Sequence, residues 1–352
     1  MTNMERIDKL NQEKRLSHDE WCRLIATCTE SDREYARKIS SQITQERFGN
    51  RIYIRGIIEF SNICRNDCLY CGIRRSNRNA ERYRLSDEDI LLCCRDGYAL
   101  GYRTFVLQSG ESASCEDRQF IDLIRKIKNL YPDCALTLSV GECRRETYEA
   151  MYAAGADRYL LRHETADPEH YAMLHPLEMS LEHRLQCLRE LKEIGFQTGC
   201  GMMVGTPGQT PETLAKDMEL LYELQPAMVG IGPFLPHKDT PFAQCRAGDQ
   251  KLTLFLLSLT RIMLPDVLLP ATGALGTAQD SGRVQGILAG CNVLMPNLSP
   301  QNVREKYMLY NNKPGTGLNA RESLERLTRE LDAIGRVTVT GRGDHRDYER
   351  KK

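Results

Sequence analysis

Ile52-Tyr53-Ile54-Arg55-Gly56-Ile57-Ile58-Glu59-Phe60 runs directly into Ser61-Asn62-Ile63-Cys64-Arg65-Asn66-Asp67-Cys68-Leu69-Tyr70-Cys71-Gly72. The first segment is β-branched and apolar and reads as a strand. The loop behind it carries three thiols in the spacing C-x3-C-x2-C, just past the strand's C-terminal end. Three thiolates so close in sequence imply a metal. A structural zinc site would want a fourth Cys or His nearby, and none occurs in the next twenty residues. Iron–sulfur clusters are held by Cys thiolates, and three of them on a cubane leave one iron free for a small molecule with an amine and a carboxylate. Structural zinc, disulfide pairs and unrelated free thiols are the competing readings of the same loop.

The rest of the chain fits a fold that presents such a loop. Beyond Ile52–Phe60, strand-like apolar runs fall at 104–108, 134–140, 157–161, 196–204, 227–231, 267–271 and 292–295. Helical patterns separate them at about 116–130, 145–154, 181–194, 210–224, 249–263 and 282–289, and Ser86-Asp87-Glu88-Asp89 caps a further helix running to about Leu100. Eight strands alternating with helices imply parallel βαβ units able to close a (β/α)8 TIM-type barrel. A flatter doubly wound sheet is the alternative. With 352 residues, the chain exceeds the roughly 250 of a bare barrel. The expected organisation is therefore an N-terminal helical extension at 1–50, the barrel at 51–310, and a C-terminal helix with a charged tail at 311–352. Within that tail, Gly341–Lys352 is apolar-poor and reads as mobile.

Lys+Arg and Asp+Glu both number 48, so a long basic surface for nucleic acid is not indicated. The first twenty residues carry no apolar segment behind a basic start, and the apolar stretch at 252–275 is broken by Arg261, Pro265, Asp266 and Pro270. The other cysteines of the 14 are scattered, which suits a reducing cytoplasm.

In a barrel the working residues sit after strand C-termini. Behind the second strand stands Gln108-Ser109-Gly110-Glu111, where Glu111 can accept from an ammonium, or where the chain merely turns. Behind the fourth, Arg162 and Glu164 share a face if the strand continues, fitting either a zwitterion or a plain salt bridge, while His163 points away into a structural role. Arg184, opening the 181–194 helix, is a further carboxylate candidate. Gly199–Thr210 is Gly-rich, includes Met203 and lacks a P-loop Lys. The strand ends at Gly230–His237 and Ala271–Thr277 are small and hydroxylated, and Tyr307 and Tyr310 share a helical face. Each of these has a bland alternative as a turn or as core packing.

Taken together, the three-Cys loop, Leu107–Glu111, Tyr159–Thr165, Met203–Thr210, Val229–Phe234 and Met295-Pro296-Asn297 resemble the HydE family of radical-SAM maturases of FeFe hydrogenase. The resemblance spans about residues 50–310. It implies a barrel with one 4Fe–4S cluster on Cys64, Cys68 and Cys71 and S-adenosylmethionine on the open iron. It further implies Tyr70 beside the adenine, Glu164 and Arg184 on the ribose or methionine, and Ser109, Glu111 and Met203 completing the cofactor site. Gln108, Arg162, Thr272 and Tyr310 would line the substrate cavity. The implied substrate is a cysteine-bound iron carbonyl–cyanide precursor, the implied partner maturases are HydG and HydF, and the electron donor is ferredoxin or flavodoxin. Some family members carry a second, C-terminal set of cysteines, whereas here none follows Cys291. Methylornithine synthase and biotin synthase share the barrel and loop and are the alternative enzymes. A cluster that only transfers electrons is the non-enzymatic alternative.

Overall fold

The protein is described from a computed structural model covering residues 1–313 and 317–350. Its centre is a ring of eight parallel strand segments. Gly56–Ser61, Thr104–Ser109, Ala135–Ser139, Arg158–Leu160, Gln197–Cys200 and Met228–Val229 form one continuous sheet in that order. Single bridges carry the ring on, from Met228 to Leu268 and from Pro270 to Val293, and Val293 pairs back with Tyr53 of the strand Arg51–Ile54. The first ribbon is thus two strands that meet at Arg55, the lower paired with Val293–Leu294 and the upper with Thr104–Ser109. Closure removes the sheet edges and leaves a (β/α)8 barrel, not a flat doubly wound sheet.

The intervening helices start where side-chain caps satisfy their first amides. Ser86 caps Asp87–Ala99 with Asp89 completing a capping box, and Thr210 does the same with Thr213 ahead of Pro211–Leu224, where Pro at the first position loses no hydrogen bond. Arg118–Leu130 turns Phe120, Ile121, Leu123, Ile124 and Ile127 onto the barrel, the i, i+3, i+4 stripe of an amphipathic helix. Three N-terminal helices, Asn3–Glu13, His18–Thr27 and Glu30–Phe48, flank the barrel against Pro211–Leu224 and Gln250–Met263. No helix among the described residues is long and apolar enough to cross a membrane.

The charged C-terminal segment departs from the mobile tail that its composition suggests. Val337–Val339 adds a strand beside Arg51–Ile54, and the residues after it cross the N-terminal end of the barrel as a plug. Thr104 Oγ1 and Arg158 donate to the Arg342 carbonyl at 2.8 and 2.7 Å, Arg55 to the Gly343 carbonyl at 3.3 Å, and Gln197 to the Asp344 carboxylate at 2.7 Å. Arg158, fully buried, also meets Asp344 at 2.6 Å, and Arg342 meets Asp157 at 3.0 Å. Low apolar content misleads here because the barrel floor is itself polar, so the segment docks through charges. Burial raises the Asp344 pKa, but the Arg158 charge and the bonds from Arg342 and Gln197 outweigh it and hold the carboxyl down at about 2.

Candidate active site

At the opposite end of the barrel, residues 62–84 lack regular helix and are held by side chains instead. Asn62 donates to the carbonyls of Glu81 and Lys306 at 2.8 and 2.7 Å and accepts from the Tyr83 amide at 2.8 Å. Arg74 forks onto Asp67 at 2.8 and 2.7 Å, and Ser76 donates to the same carboxylate, which keeps Asp67 well below the usual carboxylate range. Arg82 gathers the carbonyls of Asn62, Ile73, Arg74 and Asn77. Two glycines allow the close approaches. A Cβ on Gly72 would lie 2.1 Å from the Met308 carbonyl, and one on Gly110 would lie 2.5 Å from the Ile63 carbonyl and 2.8 Å from Cys64 Cβ.

This loop places Cys64, Cys68 and Cys71, all half-buried, at the mouth of a cavity of about 390 Å³. Burial, followed by the neighbouring thiols, pushes the Cys71 thiol up to about 12 and Cys68 higher still. Three thiolates therefore cannot coexist here without a compensating cation, so loading the loop must release protons. No three His, Cys, Asp or Glu side chains among the described residues converge to hold a single metal ion, these thiols included. A multi-iron cluster gives each thiolate its own iron, and this donor set fits that better than zinc.

Tyr70 lines the same cavity, its hydroxyl 3.2 Å from His175 Nε2. His175 Nδ1 donates to the Tyr171 carbonyl at 2.9 Å, so Nε2 is the acceptor and the Tyr70 hydroxyl donates. Burial lowers the His175 pKa to about 3 and keeps this ring neutral. Met179 brings its sulfur to 3.8 Å from Cys68.

Every candidate residue named from the sequence lines this one cavity. Glu111 accepts from Arg65 at 2.9 Å and from the Glu142 amide at 2.8 Å. Ser109 donates to the Gly110 carbonyl at 2.7 Å. Arg162 and Glu164 stand 3.1 Å apart, yet Arg162 Nε and Nη2 and Glu164 Oε2 make no hydrogen bond. Their strand stops at Leu160, and Glu164 takes a left-handed φ of 66°, a strained position for a residue with a Cβ. His163, between them, turns away from the cavity, accepts from the Gly201 amide at 3.3 Å and faces Asp217 of the helix Pro211–Leu224 at 3.3 Å. Met203 packs with Leu174 and Phe234. Thr272 Oγ1 has no hydrogen-bond partner among the described residues. Tyr310 aims its hydroxyl to within 3.0 Å of where Gly273 would carry a Cβ.

Several functional neighbours escape the sequence reading. Arg184 is pinned by Glu142 Oε1 at 2.5 Å and by the Arg162 carbonyl at 2.8 Å, so Glu142 sets the orientation of a buried guanidinium. Glu142 stands three residues beyond the strand Ala135–Ser139, and the strand-end rule applied there would have found it. Glu59, Lys313 and Arg283 also line the cavity, and no local pattern announces them; Asn297, from the quoted Met295–Asn297 stretch, donates to Glu59.

Residues 58–221 match the family described as the Radical SAM superfamily. The chain is 49% identical over 276 residues, 78% of each sequence, to the [FeFe] hydrogenase maturase subunit HydE of Thermotoga maritima. It is 27% identical to the 3-methylornithine synthase of Methanosarcina acetivorans over 82% of this chain and 81% of that one. Among solved structures, methylornithine synthase superposes with a TM-score of 0.84 at 25% identity, covering 95% of this chain and 97% of that chain. The maturase HydG gives 0.80 at 19% identity over 96% and 76%, a likeness of fold.

Proposed function

The chain belongs to the HydE family of radical-SAM enzymes, and from that premise we propose that it matures an FeFe hydrogenase by processing a cysteine-bound iron carbonyl–cyanide precursor toward the dithiolate-bridged di-iron subcluster. The 4Fe–4S cluster and S-adenosylmethionine, when bound, supply a 5′-deoxyadenosyl radical by reductive cleavage. Cys64, Cys68 and Cys71 hold the cluster. Tyr70, oriented by His175, takes the adenine side. Ser109, Glu111, Glu164, Arg184 and Met203 complete the cofactor site. Arg184 serves a carboxylate there with its charge already oriented by Glu142. Deeper in the barrel, Arg162 takes the substrate's α-carboxylate, with Gln108, Thr272 and Tyr310 around it. HydG delivers the precursor, HydF receives the product, and ferredoxin or flavodoxin supplies the electron. The 14 unpaired cysteines suit a reducing cytoplasm for this work.

The observation that carries the reading is a single cavity that runs from the three thiols to Arg162, Thr272 and Tyr310. The cavity walls would exclude bulk water between a cofactor held at the mouth and a substrate held below. Anaerobic reconstitution tests the first half of the proposal. It should load about four irons per chain and give 5′-deoxyadenosine from S-adenosylmethionine and a strong reductant. The triple Cys64, Cys68, Cys71→Ala variant should lose both, and a full cluster in that variant would overturn the assignment.

A further inference from the structure

Residues 62–84 carry six arginines, at 65, 74, 75, 78, 82 and 84, against two acids, Asp67 and Glu81. Most of this charge is already committed. Arg74 neutralises Asp67 at 2.7 Å, Lys306 neutralises Glu81, Arg65 meets Glu111 at 2.9 Å, and Arg82 turns inward to its carbonyls. Arg84 stands beside Asp87 and Glu88. Arg75 and Arg78 are left over: both are exposed, and neither has an ion pair among the described residues. Both also adjoin the thiols. The Arg75 amide donates to the carbonyl of Asn66, between Cys64 and Cys68, at 2.8 Å. Arg78 follows Asn77, whose side chain donates to the Gly72 carbonyl beside Cys71 at 2.6 Å.

Apolar side chains stand on the same outer face. Leu177, 98% exposed, is the most exposed large apolar side chain among the described residues, and Ile63, just ahead of Cys64, is 43% exposed. A lone exposed Leu means little, but this one is held over the three-Cys loop. The residues two positions to either side of it, His175 and Met179, reach Tyr70 at 3.2 Å and Cys68 at 3.8 Å, and the Leu69 amide donates to the Leu174 carbonyl at 2.9 Å. Glu178 is the single acid of residues 175–180, so the surplus around the thiols stays positive.

We propose that this outer face of the three-Cys loop docks an acidic flavin carrier of the flavodoxin class, with Leu177 against the apolar edge of the flavin and Arg75 and Arg78 against the carrier's acidic rim. The thiols lie directly behind the face, which gives an electron a short path in. One electron leaves the carrier's anionic flavin hydroquinone, which becomes the neutral semiquinone without losing a proton, and reduces the cluster. Unpaired surface cations steer the encounter, and a small apolar contact keeps it weak and reversible, as redox encounters are. This rests on the proposed cluster site and electron donor, and the test separates them.

Calorimetry on the reconstituted holoenzyme with oxidised flavodoxin reads the docking. Release of 5′-deoxyadenosine, driven either by flavodoxin with its reductase and NADPH or by dithionite, reads the delivery. Wild-type affinity for flavodoxin should fall about ten-fold or more between about 50 and 300 mM NaCl. The double variant Arg75→Glu, Arg78→Glu should bind about ten-fold or more weaker at low salt and lose most of the salt dependence, and Leu177→Ser should bind several-fold weaker. Both variants should keep iron content, Tm and dithionite-driven cleavage, while kcat/KM for flavodoxin falls by the factor lost in binding. Variants that bind flavodoxin like wild type overturn the proposal. So does an acidic ferredoxin that binds this face more tightly than flavodoxin, or variants that bind flavodoxin normally yet fail in dithionite-driven hydrogenase maturation, which would give the face to a partner maturase. If dithionite gave wild type no 5′-deoxyadenosine, the cluster assignment would fail, and the calorimetry would still decide the docking face.

Discussion

Replacing Arg162 should separate substrate binding from cofactor binding. The Arg162 guanidinium stands 3.1 Å from Glu164, with its side chain 30% exposed and Nε and Nη2 making no hydrogen bond. Unit charges at that distance and an effective dielectric of 20 attract by about 5 kcal/mol, most of which is lost again to desolvation and to competition with Glu164. Two charge-assisted hydrogen bonds to a carboxylate leave a net of about 2–4 kcal/mol, or roughly 30- to 1000-fold in affinity. Arg162→Ala should therefore lose that factor for cysteine or the iron-bearing precursor, measured by calorimetry on the holoenzyme. The variant should keep its cluster and still release 5′-deoxyadenosine in the uncoupled reaction. Arg162→Lys should recover little, because a point charge cannot reproduce the fork. Glu164→Ala or Arg184→Ala should instead weaken S-adenosylmethionine. An Arg162→Ala protein that loses the cofactor, beside a Glu164→Ala protein that binds it normally, would refute the division of roles.

Three further outcomes follow from the same contacts. Glu142→Gln strips the charge that compensates buried Arg184, at a cost of about 3–5 kcal/mol, so Tm should fall by roughly 5–10 °C and S-adenosylmethionine affinity with it; an unchanged melt would contradict the pinning role. His175 has its pKa lowered to about 3, so below pH 6.5 the unfolded chain binds a proton that the folded chain refuses, and stability falls as pH drops. Between pH 6.5 and 5 this amounts to about 2 kcal/mol, and His175→Asn should flatten the Tm-versus-pH curve of the metal-free chain there. Asp344 has the same sign in a lower window: its carboxyl sits at about 2, so its contribution is present above about pH 4 and lost as pH falls toward 2. Asp344→Ala should cost about 2–3 kcal/mol at pH 7 by leaving buried Arg158 unpaired, read as a lower Tm that deleting 342–352 lowers further.

The barrel was legible because its strands are apolar runs between strongly capped helices, and a closed parallel ring buries both faces of each. One ribbon, read as a single strand from Ile52 to Phe60, is divided at Arg55 because its pairing partner changes there. The three-Cys loop, Arg162 and Glu164 were readable from their place after strands. Glu142 followed the same rule and was missed because its partner, Arg184, lies on a helix beyond the next strand. His175 and Arg283 belong to loops and short helices whose meaning comes from what the fold carries to them. The tail was misread for a similar reason. Its charges look solvent-bound in sequence, but Arg158 and Gln197, drawn from two different strand segments, meet the Asp344 carboxylate at the barrel floor, and Arg55 holds the Gly343 carbonyl beside it.

The most direct test is an anaerobic maturation assay with unmatured FeFe hydrogenase, HydG, HydF, S-adenosylmethionine, reductant and this chain as the only variable. Hydrogen evolution should appear with wild type, and should be absent without the chain, with the triple Cys64, Cys68, Cys71→Ala variant and with Arg162→Ala. The contradicting result is a chain that cleaves S-adenosylmethionine but leaves the hydrogenase inactive while producing 3-methylornithine, which would move the same barrel and cluster to the activity named for the Methanosarcina relative.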